Sequence, residues 1–237
     1  MSYLDKWANI EARLKNIQSL PPLSGYIRDG IVNIDNWQNQ EIRPLFIGKE
    51  AYGDGGWSIT EHALNENPAE FCRRAPSSWR KTSVISYALQ NSLAAYSDIY
   101  PIRNSNKVAE SLRSIAFINV GKHGGGKTTS PQRLTDLYRQ NRTLLHEQIA
   151  LCQPNIIIGW NTLDLFEQDT DFVRQVGNTK NDNPKLGKVR SWSSDGKLFI
   201  ATTHPAYFKI KTQDYVDGIL NVVRANSTNI NRGLPVF

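Results

Sequence analysis

Four stretches of the chain repeat apolar residues at helical spacing. Leu4, Trp7, Ile10, Leu14 and Ile17 recur every three or four positions until Pro21-Pro22 stops the pattern. Trp79 to Tyr96 carries Val84, Tyr87, Ala88, Asn91 and Ala95 in the same rhythm. Gln132 to Gln153 places Leu134, Leu137, Tyr138, Leu144, Leu145, Ile149 and Cys152 on one face and ends at Pro154. Thr212 to Asn226 closes the chain with Tyr215, Ile219, Leu220, Val222 and Val223. Between them stand short apolar runs of strand character: Arg43 to Gly48, Ser114 to Val120, Asn155 to Gly159 and Leu198 to Thr202. Thr162 to Phe166 reads as a short helix, Gly25 to Gln40 as irregular or a short hairpin, and the Asn-rich Thr170 to Gly187 as a loop excursion.

Apolar strands separated by long amphipathic helices imply crossover connections, and strands apolar on both faces imply helices above and below. The expectation is therefore one α/β domain over residues 1–237: a three-layer sandwich with a short, mostly parallel four-stranded sheet. Residues 1–42 would form a helical or irregular extension packed on it. Composition supports this reading: 237 residues with 39% apolar and 21% charged positions suffice for a substantial core. The formal charge of +6 favours a polyanionic partner. No apolar run approaches the roughly 18 residues of a membrane span, and the N-terminal residues lack the order of a signal peptide. Two cysteines are too few for a disulfide framework or a four-thiolate metal site. A cytoplasmic protein, monomeric and without cofactor or metal, is expected.

In such a sheet ligands bind beyond the carboxyl ends of the strands. The four strands run into Gly48-Lys49-Glu50-Ala51-Tyr52, Asn119-Val120-Gly121, Gly159-Trp160-Asn161 and Thr203-His204-Pro205-Ala206-Tyr207-Phe208. A carboxylate, an amide, an indole and an imidazole would share one rim. Gly121-Lys122-His123-Gly124-Gly125-Gly126-Lys127-Thr128 also fits the phosphate-loop spacing G-x-x-x-x-G-K-[ST]. Against a P-loop nucleotide hydrolase, Ser130-Pro131 separates this motif from the helix, and no later strand ends in the magnesium-binding Asp.

The ordered rim motifs resemble the uracil-DNA glycosylase superfamily over roughly residues 45–209. Its first strand ends in a motif such as Gly-Gln-Asp-Pro-Tyr-His, and Gly48-Lys49-Glu50-Ala51-Tyr52-Gly53 stands here. Its Leu-Leu-Asn is matched by Phe117-Ile118-Asn119. The strand followed by Trp-Gly is matched by Ile156 to Trp160, and His-Pro-Ala-Tyr by His204-Pro205-Ala206-Tyr207. The resemblance implies a DNA N-glycosylase that binds a flipped base, uracil or another deaminated base, and hydrolyses its N-glycosidic bond. By the same resemblance Glu50 and His204 are the catalytic pair, and Gly48, Tyr52, Trp57, Asn119, Tyr207 and Phe208 contact the base or duplex. Lys49, Lys122 and Lys127 would meet phosphates of a DNA partner. The family's Asp-Pro is Glu50-Ala51 here, a longer side chain on a looser turn. A member of the same fold that binds nucleic acid or a nucleotide without cleavage is therefore the alternative.

Overall fold

The computed structural model describes residues 3–17, 24–62, 67–74, 77–99, 101, 105–167, 176–181, 189–207 and 209–235. Its centre is a parallel group of strands, β2 (Pro44–Gly48), β3 (Ala116–Asn119), β4 (Ile156–Trp160) and β7 (Lys197–Thr202). They lie in the spatial order β3-β2-β4-β7. These are the four strands read from the sequence. The sheet, however, is larger and mixed. Two-residue β1 (Gly30–Ile31) adds antiparallel to β3 at one edge, and β6 (Val189–Ser194) and β5 (Val176–Asn181) add antiparallel beyond β7. Among the described residues, the expected four-stranded sheet is thus corrected to a mixed sheet of seven strands.

The correction has a local cause. Asp195 and Gly196 both hold positive φ, 49° and 72°, which a two-residue type I′ turn requires. This turn folds β6 back onto β7, and the facing Trp192 and Phe199 rings stack at 5.4 Å as a cross-strand pair.

Residues on successive strand positions point to opposite faces. Leu45, Ile47, Ala116, Ile118, Ile157 and Phe199 share one core with Trp7, Trp37, Leu134, Leu145 and Phe166. These come from α1 (Tyr3–Lys15), α2 (Ile34–Gln38), α7 (Pro131–Cys152) and α8 (Leu163–Glu167). Phe46, Phe117, Ile156, Ile158, Leu198 and Ile200 enter the other core with Cys72, Ile85, Ala88, Ala109 and Val216. Those residues belong to α4 (Pro68–Arg74), α5 (Ser77–Gln90), α6 (Lys107–Glu110) and α9 (Thr212–Ala225), while the one-turn α3 (Ile59–His62) precedes α4. Two helical layers therefore cover both faces of the sheet.

The longest helix, α7, starts where its sequence allows it. Ser130 accepts the Arg133 amide at 3.2 Å, Pro131 occupies the first turn, and Gln153 ends the helix with φ of 48° before Pro154. The N-terminal segment is built into this layer. Leu14 packs with Leu144, Arg13 pairs with Glu147, and β1 extends the sheet. No helix among the described residues is long and apolar enough to cross a membrane.

Candidate functional site

Strand register brings four residues level at the carboxyl rim. Gly48 pairs with Asn119, Ile47 with Gly159, and Trp160 with Thr202. Because β2 is flanked by the two strands that follow it among the parallel four, the crevice beyond β2 and β4 is where an open α/β sheet binds ligands. Aromatic side chains pack in the core beneath these strand ends. Phe117 and Trp160 lie 5.1 Å apart, Trp79 sits 4.9 Å from Phe117 and 6.1 Å from Trp160, and His204 meets Trp160 edge-on at 5.3 Å.

Asn119 ends β3, and His204 follows β7. Their strands are three spacings apart, roughly 14 Å at the backbone. Asn119 is 4% exposed, and its side-chain amide bonds to no described residue. It lies above Gly48, where an added Cβ would come within 2.5 Å of Asn119 Oδ1 and 2.9 Å of Phe117. Glycine at 48 is what lets the amide cross the strand end. His204 Nδ1 accepts the Ala206 amide at 3.1 Å, which leaves the neutral ring's proton on Nε2. Burial pushes the imidazole down to about 4, and the charges of Lys49 and Lys81 add to the shift. His204 is therefore a neutral donor at ordinary pH.

Glu50 is held differently from Asn119 and His204. Its side chain is 1% exposed and paired with Arg133, whose Nε lies 3.0 Å from Oε2 and 3.2 Å from Oε1. Thr129 donates to Oε1 at 2.9 Å. The carboxylate is packed against the glycine-rich loop: a Cβ on Gly125 would stand 2.4 Å from Glu50 Cδ. The carboxylate assigned to catalysis thus fastens this loop to the start of α7.

The glycine-rich loop itself is a loop-on-loop joint. The Gly121 amide donates to Lys49 O at 2.7 Å, Gly124 to Gly25 O at 3.2 Å, and Gly125 to Ala51 O at 2.7 Å. A Cβ on Gly124 would fall 2.0 Å from Gly53 O, and one on Gly55 would fall 1.9 Å from Gly25 O. These contacts admit only glycine. With three of its amides bonded to protein carbonyls and α7 beginning at Pro131, the segment lacks the open amide cradle of a phosphate loop.

Lys122, expected at a phosphate, is corrected most clearly. It has no exposed surface, and its Nζ lies 2.8 and 3.1 Å from the Asp29 carboxylate. Asp29 also accepts from Gln148 Nε2 at 3.1 Å and from the Asn119 backbone amide at 2.8 Å. A buried carboxylate thus ties the segment before β1 to the end of β3, the glycine-rich loop and α7. Sequence reasoning missed Asp29, Arg133, Lys81 and Trp79 as site-building residues, because their partners lie far away in sequence.

The remaining candidates divide between exposed and core positions. Tyr52 is 65% and Tyr207 42% exposed at the rim; Lys127 is exposed on the glycine-rich loop. Lys49 is half-buried and close enough to lower the His204 imidazole pKa. Trp57 is half-buried against the α5–α9 core, and Phe208 lies outside the described residues. Among the described residues, no cluster of His, Cys, Asp and Glu could hold a metal. No protein-family model matches the chain, and no curated protein matches it.

Asp29→Ala strands the Lys122 ammonium in the core and should cost about 3–5 kcal/mol in urea denaturation. The double variant Asp29→Leu/Lys122→Met should regain most of that loss, whereas a cost below about 1 kcal/mol for Asp29→Ala would contradict the pairing. A second expectation concerns pH. Because folding lowers the His204 pKa, the unfolded chain binds the proton more readily, so its contribution is complete above about 6.5 and declines toward pH 4. His204→Gln should flatten the wild-type loss of stability across that window by on the order of 2 kcal/mol; identical slopes for both proteins would contradict the shift.

Proposed function

We propose that this protein is uracil-DNA glycosylase-like: it receives one flat nucleobase turned out of DNA in the rim slot and acts on its N-glycosidic bond. The observation that carries the reading is the placement of the Asn119 amide over Gly48 and of a neutral His204 after β7, with the rings of Phe117, Trp160 and His204 in successive contact. An amide presents a donor and an acceptor, which suits the polar edge of a pyrimidine. Breaking the bond between base nitrogen and sugar carbon sends the electron pair into the base, and a donor at the base oxygen stabilises that charge. A neutral imidazole N–H on Nε2 serves this purpose without giving up its proton. Water then adds to the sugar carbon, and the proton it releases ends on the departed base anion. The order β3-β2-β4-β7 of parallel strands, with all four rim motifs at their carboxyl ends, supports the same reading.

A second reading, binding without cleavage, is favoured by Glu50. Its carboxylate accepts from Arg133 and Thr129 and is almost fully covered, so it has little freedom to orient a water. The geometry required of such a base is direct contact with the attacking water.

Incubation with oligonucleotides containing uracil, hypoxanthine or xanthine, followed by alkali, separates the two. Strand scission with at least one lesion is expected, with His204→Ala slowing it about 10²–10³-fold. Salt-sensitive binding without scission selects the second reading. Neither scission nor binding at low salt overturns both.

A further inference from the structure

At the amino-terminal ends of the central strands, away from the rim, lies a cavity of about 650 Å³. Arg43 stands just before β2, Asn155 just before β4, and Lys197 opens β7; all three line it. The length of a five-residue strand, roughly 16 Å, separates it from the carboxyl rim. Its volume is that of a small-molecule pocket. Buried hydrogen bonds fix its wall. Asn155 Oδ1 accepts the Arg43 amide at 2.7 Å, and Asn155 Nδ2 donates to Asn231 O at 2.7 Å. Asn231 donates its own amide to Gly196 O at 2.8 Å, which ties the segment after α9 to the β6–β7 turn.

Arg43 is the unusual group in this wall. It is 5% exposed, yet its guanidinium meets only neutral carbonyls: Gln153 O on Nε at 2.9 Å, and Gln40 O at 3.2 Å and Gly233 O at 2.7 Å on Nη1. A guanidinium keeps its charge inside a protein, and a buried cation without a counter-ion is costly. Clasping the end of α7 and Gly233 uses three of its five N–H groups; the two on Nη2 bond to no described residue. The other charged groups lining the cavity are Lys197, half-buried and without an ion pair among the described residues, and Asp195 on the turn. His146 also lines it and shares a hydrogen bond of 3.0 Å with the Tyr138 hydroxyl. Ile149, Phe199 and the exposed Leu234 supply apolar surface.

We infer that this cavity is a second binding site, for a small monocarboxylate with an apolar body. The carboxylate takes the Arg43 Nη2 donors and the Lys197 ammonium, and the body lies along Ile149, Phe199 and Leu234. Two cationic side chains against the Asp195 carboxylate leave one positive charge, which a monoanion matches. A dianionic phosphate would exceed it, next to the carbonyl end of α7, the negative pole of that helix. The site is independent of the base-reading function proposed for the rim.

The test is an NMR titration of the ¹⁵N-labelled full chain with benzoate, benzamide and phenyl phosphate. Benzoate is expected to shift the Arg43 Nε–H and the Asn155 side-chain amide along one saturating curve, with Asn119 and His204 unmoved, and to bind at least tenfold more tightly than benzamide. Lys197→Glu should weaken benzoate at least tenfold with little change in melting temperature. Arg43→Gln should abolish the preference for benzoate, and where that variant loses the fold Lys197→Glu decides alone. No saturable shift at Arg43, equal affinity for benzoate and benzamide, or wild-type benzoate affinity in Lys197→Glu overturns the site. Tighter binding of phenyl phosphate than of benzoate overturns the carboxylate assignment. Benzoate shifts confined to Asn119 and His204 put the ligand at the rim and overturn the proposal as well.

Discussion

The Asp29 carboxylate is the constraint on which the site depends. It is buried, ionically matched by Lys122, and hydrogen-bonded by Gln148 and by the Asn119 backbone. Those groups come from the segment before β1, the glycine-rich loop, α7 and the end of β3. Each would bury an uncompensated polar group without the others, so they stay together or the region opens. Fixing the Asn119 backbone in turn aims its side-chain amide over Gly48. A polar device in the interior thereby sets the position of a group at the rim.

A second clamp works on the outside of the same joint. Arg133 and Thr129 hold Glu50 against Gly121 and Gly125, and glycines at 25, 55, 124 and 125 let three loops approach at backbone contact. The β2 rim is consequently fixed at Glu50. Beyond β7, the His204-Pro205 turn is positioned by the Ala206 amide and by Tyr215, whose hydroxyl donates to Thr203 O. The result is a rim whose acidic group is neutralised internally, with Asn119 and His204 at the ends of β3 and β7.

Much of the scaffold was legible in the chain. The helix at Gln132 to Gln153 and the strands ending in Gly48, Asn119, Trp160 and Thr202 follow from periodicity and from proline stops, and the structure places them within a residue or two. The β6–β7 hairpin was also signalled, by Asp195-Gly196 between alternating residues, yet the polar Asn-rich run ahead of it obscured the pattern. On α5 the buried face is displaced from the expected stripe. Val84 and Tyr87 are half-buried, while Ser78, Lys81, Thr82, Ser83 and Ser86 are covered because neighbouring helices pack over them. Periodicity alone cannot reveal that a polar residue is covered by a remote element.

The site was legible in part for the same reason. Asn119 and His204 follow strands, and their placement follows from topology. Lys122 stands in a glycine-rich segment that resembles a phosphate loop, and only its partner 93 residues away shows it to be core. The most direct test of the whole account is an NMR titration of the ¹⁵N-labelled protein with free uracil. The Asn119 side-chain amide and the His204 Nε2–H are predicted to shift together along one saturating curve. Uracil binding that leaves both resonances in place would contradict it.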